Sequence, residues 1–304
     1  MYMIPNLFIV GAPKCGTTAW VDYLSTHPSI AFSRAKEPHF FSSDIRGTNV
    51  AANLNEYLSL FDVTSDHSVV AEASVMYIYS KDAPKRIYAL NPNARILIFL
   101  RNHIDFLKSY HNQAIFTGYE TEPSLERAWQ LSSERILGRH MPPDCTDPLM
   151  LNYPKLCRFA NHVRNFYKVF PAEQIQVRWL DEWKSNPRQA YMDILNFLDI
   201  EDDGRNEFVK VHGAHRHRFN WLGSLTKTRP GQPPSLALRA AATTRKLLGV
   251  KRLYLGRTLR RLNTTEVKAA DVTPDFRKMI EIEYAMDRSE VDEIRSTCSY
   301  RKAA

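Results

Sequence analysis

The chain has 304 residues, 44% apolar and 24% charged, an ordinary globular composition with room for one large α/β domain. Its four cysteines, Cys15, Cys145, Cys157 and Cys298, form no C-x-x-C pair, which argues against a zinc site or a disulfide framework and for reduced thiols. The first ten residues lack the basic start of a signal peptide, and no apolar run approaches the ~20 residues of a spanning helix, so a soluble, cytoplasmic protein is expected.

In chain order, the apolar run Asn6 to Val10 predicts a buried strand of the parallel-sheet kind, followed by GAPKCGTTAW and a helix from about Thr17 to Ser25 that stops before His27-Pro28. A strand, glycine loop and helix in this order aim helix N-terminal amides at an anion. Val69–Ala73 and Arg95–Leu100 predict two more strands, with a helix from Ala83 to Leu90 between them. Helical spacing then runs through Ile104–Thr117, Ser124–Leu137, Tyr153–Phe170 and Pro187–Leu198, with a strand at Ile175–Leu180. Gly213 to Pro234 reads as a loop or lid, Ser235 to Leu262 as a basic amphipathic helix or helix pair, and Pro274 to Met286 as a last helix. The alternation implies a single domain over residues 1–304: a P-loop-like central parallel sheet flanked by helices.

Gly11 and Gly16 have the spacing of a nucleotide P-loop, but Thr17 stands where the lysine should follow, and Lys14 lies inside the loop. A triphosphate with magnesium would also need an acid at the end of a neighbouring strand. Here the strand ILIFL ends in Arg101-Asn102, so a second anionic group held by protein charge is the better expectation. Lys14, beside amides of Gly16, Thr17 and Thr18, suits the bridging oxygen of a short two-group anhydride, where an ammonium stabilises charge growing on a leaving group. Cys15 reads as a small residue filling a tight turn.

PKCGTTA, with HP eleven residues beyond Gly16, resembles the 5′-phosphosulfate loop of sulfotransferases that use 3′-phosphoadenosine 5′-phosphosulfate (PAPS). RAKEPHFF (Arg34 to Phe41) resembles the segment that follows it in the carbohydrate and heparan-sulfate-like branch and its bacterial relatives. LRNHIDFLKSYHNQ, with Arg101 and Ser109 eight residues apart, resembles the family's 3′-phosphate signature. The resemblance implies the sulfotransferase fold, PAPS as donor with its bisphosphate PAP as product, and no metal. It implies that Lys14, Cys15, Gly16, Thr17 and Thr18 form the phosphosulfate loop, that Arg101 and Ser109 bind the 3′-phosphate, and that Glu37 is the general base. His39 is the alternative base. The branch carries a lysine after the glutamate of its second strand, whereas here Glu72 is followed by Ala73.

From Gly204 to Leu262 fourteen Lys and Arg face the single acid Glu207, and the rest of a chain with net charge +8 is mildly acidic. Such a block favours an anionic partner. His212, His215 and His217 could be read as metal ligands, but Arg216 and Arg218 between and beside them would repel a cation. The resemblance instead suggests that Arg216 or Arg218 lies near the cofactor. For the stretch Arg239 to Arg261 three readings stand: a groove for an acidic acceptor, a helix on a membrane surface, or a solvated face. The expected partner is a small-molecule, glycan or lipid-linked acceptor, with no nucleic acid. Two rivals accompany this reading, a P-loop kinase and a non-catalytic polyanion-binding module.

Overall fold

The computed structural model describes residues 4–47, 51–209, 215–217, 264–266 and 271–300. Five strands form one parallel sheet in the order β2-β3-β1-β4-β5, with β1 at Leu7–Gly11, β2 at Ile30–Phe32, β3 at Val69–Ala73, β4 at Arg95–Leu100 and β5 at Ile175–Trp179. The four strands predicted from apolar runs are all present. Edge strand β2 is not foreshadowed, being three residues between polar turns.

The strand order decides where chemistry can sit. β1 occupies the middle, β3 on one side and β4 on the other, so the loops leaving all three carboxyl ends open into one crevice, the usual ligand position in an open parallel sheet. Helices α1 (Thr17–Leu24), α2 (Leu54–Leu58), α3 (Ala83–Leu90) and α4 (His103–Thr117) connect these strands. Trp20 of α1 is fully buried, stacked on Phe99 of β4 at 5.3 Å between centroids, which fixes the first helix against the sheet.

Two predicted helices are each interrupted. Ser124–Leu137 becomes α5 (Leu125–Gln130) and α6 (Ser132–Ile136), because the Leu131 amide is shared between the Arg127 and Trp129 carbonyls and tightens the turn. Tyr153–Phe170 becomes α7 (Tyr153–Leu156) and α8 (Phe159–Tyr167), because the Phe159 and Ala160 amides turn out of the helical ladder to the Asp287 carboxylate. Leu180 does not end β5 but begins α9 (Leu180–Ser185), followed by α10 (Pro187–Leu198). The last predicted helix is a hairpin of α11 (Pro274–Glu283) and α12 (Ala285–Tyr300).

A short antiparallel pair, β6 (His215–His217) with β7 (Thr264–Glu266), brings β6 against α4. The backbone of Arg216 therefore lies in β6. Arg218, His212 and the basic stretch Arg239 to Arg261 lie outside the described residues. No described helix is long and apolar enough to cross a membrane.

Candidate active site

The loop after β1 is folded by two glycines that no other residue could replace. Gly11 has φ 139° and a Cβ there would meet the Val75 carbonyl oxygen at 2.6 Å; Gly16 has φ 90° and a Cβ would meet Trp183 Cζ2 at 2.6 Å and Leu180 Cδ1 at 2.9 Å. Gly16 is the N-cap of α1 and offers no side chain to the first-turn amides, which stay available to an anion. Helix α9 thus seats the loop, and neither α9 nor the role of Trp183 announces itself in the sequence.

Within the loop Lys14 takes a left-handed backbone (φ 65°), and its ammonium donates to Gln113 Oε1 at 3.1 Å across the crevice. Burial first, then the neighbouring Lys36 and Arg101, push its pKa below the usual lysine value, with Glu37 opposing. Cys15 is fully buried, its thiol pushed far up by burial, and its Sγ lies 3.5 Å from the Pro13 carbonyl oxygen. It fills the turn and carries no nucleophile. Thr17 is buried, and the Thr18 hydroxyl lies 3.4 Å from Lys36 Nζ.

Arg101 stands at the end of β4, beside the loop. Its Nε is buried without a hydrogen-bond partner, and its outer nitrogen is 3.8 Å from Asp105. A buried guanidinium N–H left open is costly unless a ligand takes it. Asn102 caps α4 by accepting from the Ile104 and Asp105 amides, so the helix start that carries Arg101 is fixed. Ser109 and Gln113 lie one turn apart on α4 and share a face, the face Gln113 turns to Lys14.

Glu37 and His39 both have left-handed φ (58° and 52°), Pro38 between them. His39 Nε2 is 3.3 Å from Glu37 Oε2, and the His39 amide donates to Ser74 Oγ at 2.9 Å, tying this segment to the end of β3. His39 is buried, whereas Glu37 keeps 30% of its side chain open and also lies 3.8 Å from Lys36. Beneath them Glu72 is completely buried. Burial pushes its carboxyl up to about 8; the Tyr77, Tyr57 and Ser74 hydroxyls around it oppose the shift without closing a hydrogen bond on either oxygen.

The sequence-predicted residues Lys14, Cys15, Gly16, Thr17, Thr18, Glu37, His39, Arg101 and Ser109 therefore fall around one crevice or on elements lining it. Gln113, Lys36, Ser74 and Trp183 join them and were not singled out; only their positions after the motifs could have hinted at them. The residues suit an anionic ligand: a helix start that no side chain caps, and two cations, Lys14 in the loop after β1 and Arg101 at the end of neighbouring β4. Among the described residues no group of three or more His, Cys, Asp or Glu gathers as a metal site.

Comparison with known proteins places the chain in a family. Residues 5–220 match the family model described as Sulfotransferase domain. The human heparan sulfate glucosamine 3-O-sulfotransferase 6 is 32% identical over 197 residues, covering 65% of this chain and 53% of its own length. The human carbohydrate sulfotransferase 15 is 24% identical over 247 residues, 65% of this chain and 44% of that protein. The chain thus spans about half the length of these curated relatives. A sulfotransferase crystal structure from Alicyclobacillus acidocaldarius superposes with a TM-score of 0.60 at 28% identity, covering 84% of this chain and 99% of that one. The chain belongs to the sulfotransferase family and is a transferase enzyme.

Proposed function

We propose that the protein moves a sulfuryl group from PAPS to a hydroxyl or amine of a glycan, glycolipid or small-molecule acceptor. The observation that carries this reading is the pairing of Lys14 with Arg101: two cations at the ends of β1 and β4, around an uncapped helix start, where a magnesium-triphosphate site would present an acid. When bound, the donor supplies an activated sulfuryl group on a good leaving phosphate.

The chain's residues divide the work. Amides of Gly16, Thr17 and Thr18 hold the 5′ end, with Lys14 at the bridging oxygen, where its ammonium offsets charge left on the departing phosphate. Gln113 holds Lys14 in place beforehand. Arg101 gives its open guanidinium to the 3′-phosphate, with Ser109 on the adjoining helix; Arg216, carried by β6 alongside α4, is the further contact of this reading. Glu37, the more accessible of the two base candidates, takes the acceptor proton, while His39 packs behind it and, with Nε2 protonated, donates to its carboxylate. The glycan class of acceptor rests on the names of the relatives and on the basic block between Gly204 and Leu262.

Thermal shift distinguishes the readings. The bisphosphate PAP stabilises the protein in proportion to the logarithm of its concentration above Kd, and ATP with magnesium does not. Stabilisation by ATP with magnesium alone would establish the kinase instead; response to any polyanion, with none specific to PAP, would establish the polyanion-binding module.

A further inference from the structure

One cation near the crevice has no part in the scheme above. Lys36 precedes Glu37 in the loop after β2, and its ammonium lies 3.4 Å from Thr18 Oγ1, on the first turn of α1, and 3.8 Å from Glu37 Oε1. It thus stands between the first turn of α1, whose amides are assigned to the 5′ end of the donor, and the carboxylate assigned to the acceptor proton. Its field also reaches Lys14, where it is the strongest charge acting on that ammonium.

The neighbouring strand offers no alternative. β3 ends in Ala73, 8% exposed, which has no functional group, and the side chain before it, Glu72, is fully buried in the core. A sulfuryl group carries three oxygens, and Lys14 at the bridging position addresses the leaving side only. Lys36, on the loop that carries the base, lies within reach of the other side of that group.

We propose that Lys36 is a second cation of the donor site, binding a non-bridging oxygen of the terminal sulfuryl group and aligning it with the acceptor held at Glu37. The inference rests on the PAPS reading given above. The bond changes stay those of the transfer itself: the acceptor oxygen or nitrogen bonds to sulfur, the bond from sulfur to the bridging oxygen breaks with its electron pair staying on the phosphate, and the acceptor proton goes to Glu37. Lys36 gives up no proton. Because its side chain is 63% exposed, an ordinary solvated lysine would contribute almost nothing here, which makes the two cases separable.

The test is calorimetric titration of the full chain with PAP and with PAPS, which differ only in the sulfuryl group, for the native protein, Lys36→Met and Lys36→Arg. Lys36→Met is expected to weaken PAPS binding about tenfold or more, the range of a lost charge-assisted hydrogen bond, while PAP binding stays within about twofold. Lys36→Arg restores most of the PAPS preference, and the slow release of sulfate from PAPS into water follows the same order. Equal affinity of Lys36→Met and native protein for PAPS overturns the proposal. So does an equal loss for PAP and PAPS, which would put Lys36 on the 5′-phosphate instead. A native protein that binds neither nucleotide overturns the donor assignment itself, and is recognised by failing before any substitution is made.

Discussion

Two acids, Asp287 of the C-terminal hairpin and Glu72 of β3, show how differently the regions around them are built. Behind α4, Asp287 of the C-terminal hairpin accepts from His103 Nε2 at 2.9 Å and from the Phe159 and Ala160 amides at 3.1 Å each, so its charge is met at every turn. Under the crevice, Glu72 is more deeply buried and accepts nothing. The same contrast runs through the surroundings. Around the hairpin, His103 stacks on Tyr284, Arg288 lies over Trp179 at 4.7 Å, and Trp179 Nε1 donates to Asp292. Around the crevice stand the unpaired Nε of Arg101 and Nδ1 of His39, and three of the five non-glycine residues with left-handed φ among those described: Lys14, Glu37 and His39. Around the crevice strained backbone and open valences occur together, where a ligand can relieve them.

Substitutions on the two sides should therefore fail in different ways. The largest effect is expected from Lys14→Ala, which lowers sulfuryl transfer by about 100- to 1000-fold, as for loss of one preorganised charge, and leaves PAP binding and thermal stability nearly intact. Steady-state rates beside a PAP titration check this; a variant that loses stability but keeps its rate would reverse the assignment of the two regions. Asp287→Ala does the opposite. Removing a carboxylate that three donors share strands them and costs about 2–4 kcal/mol, seen as a melting point lower by roughly 5–10 °C, with the activity of the remaining folded protein little changed.

Gly16→Ala falls between the two. Its Cβ would collide with Trp183 and Leu180 in a backbone conformation that alanine resists, so about 1–3 kcal/mol of stability and most of the PAP affinity are lost together, by melting and titration on one sample.

Glu72 sharpens the comparison through pH. Its native pKa, about 8, lies above the ordinary carboxyl value, so the native state holds a proton the unfolded chain has released. Stability should then fall as pH rises from the ordinary carboxyl range to about 8, by at most about 1.4 kcal/mol per pH unit, and level off above. Glu72→Gln removes that slope, which denaturant titrations between pH 5 and 9 would show. Lys14 has the opposite displacement: its pKa is lowered, so the ammonium proposed to serve the transfer is lost at lower pH than in an ordinary lysine, and on that proposal the alkaline fall in rate arrives correspondingly early.

Much of the crevice was legible because its parts announce themselves locally. Four of the five strands are apolar or alternating runs, and the Gly11 and Gly16 spacing, the oddly placed Lys14 and the strand-ending Arg101 are each visible within a few residues. What was hidden depends on meetings across the chain. Gln113 reaches Lys14 over 99 residues of sequence, and Trp183 matters only because α9 presses on Gly16. The C-terminal helix α12 was missed because its apolar side chains are sparse: Val291 is buried and Ile294 packs on the core, while ion pairs such as Arg288 with Asp181 and Arg295 with Glu182 flank them. So few apolar positions do not mark a helix by periodicity.

Arg101 is proposed to read a 3′-phosphate while the loop around Lys14 reads the 5′ end. The most direct measurement of this is calorimetric titration with PAP and with adenosine 5′-monophosphate, which lacks only the 3′-phosphate, on the native protein and on Arg101→Ala. The native protein should prefer PAP by about tenfold or more, the worth of a charge-assisted pair, and Arg101→Ala should erase that preference while keeping its affinity for the monophosphate. Equal binding of the two nucleotides by the native protein, or an undiminished preference in Arg101→Ala, would contradict it.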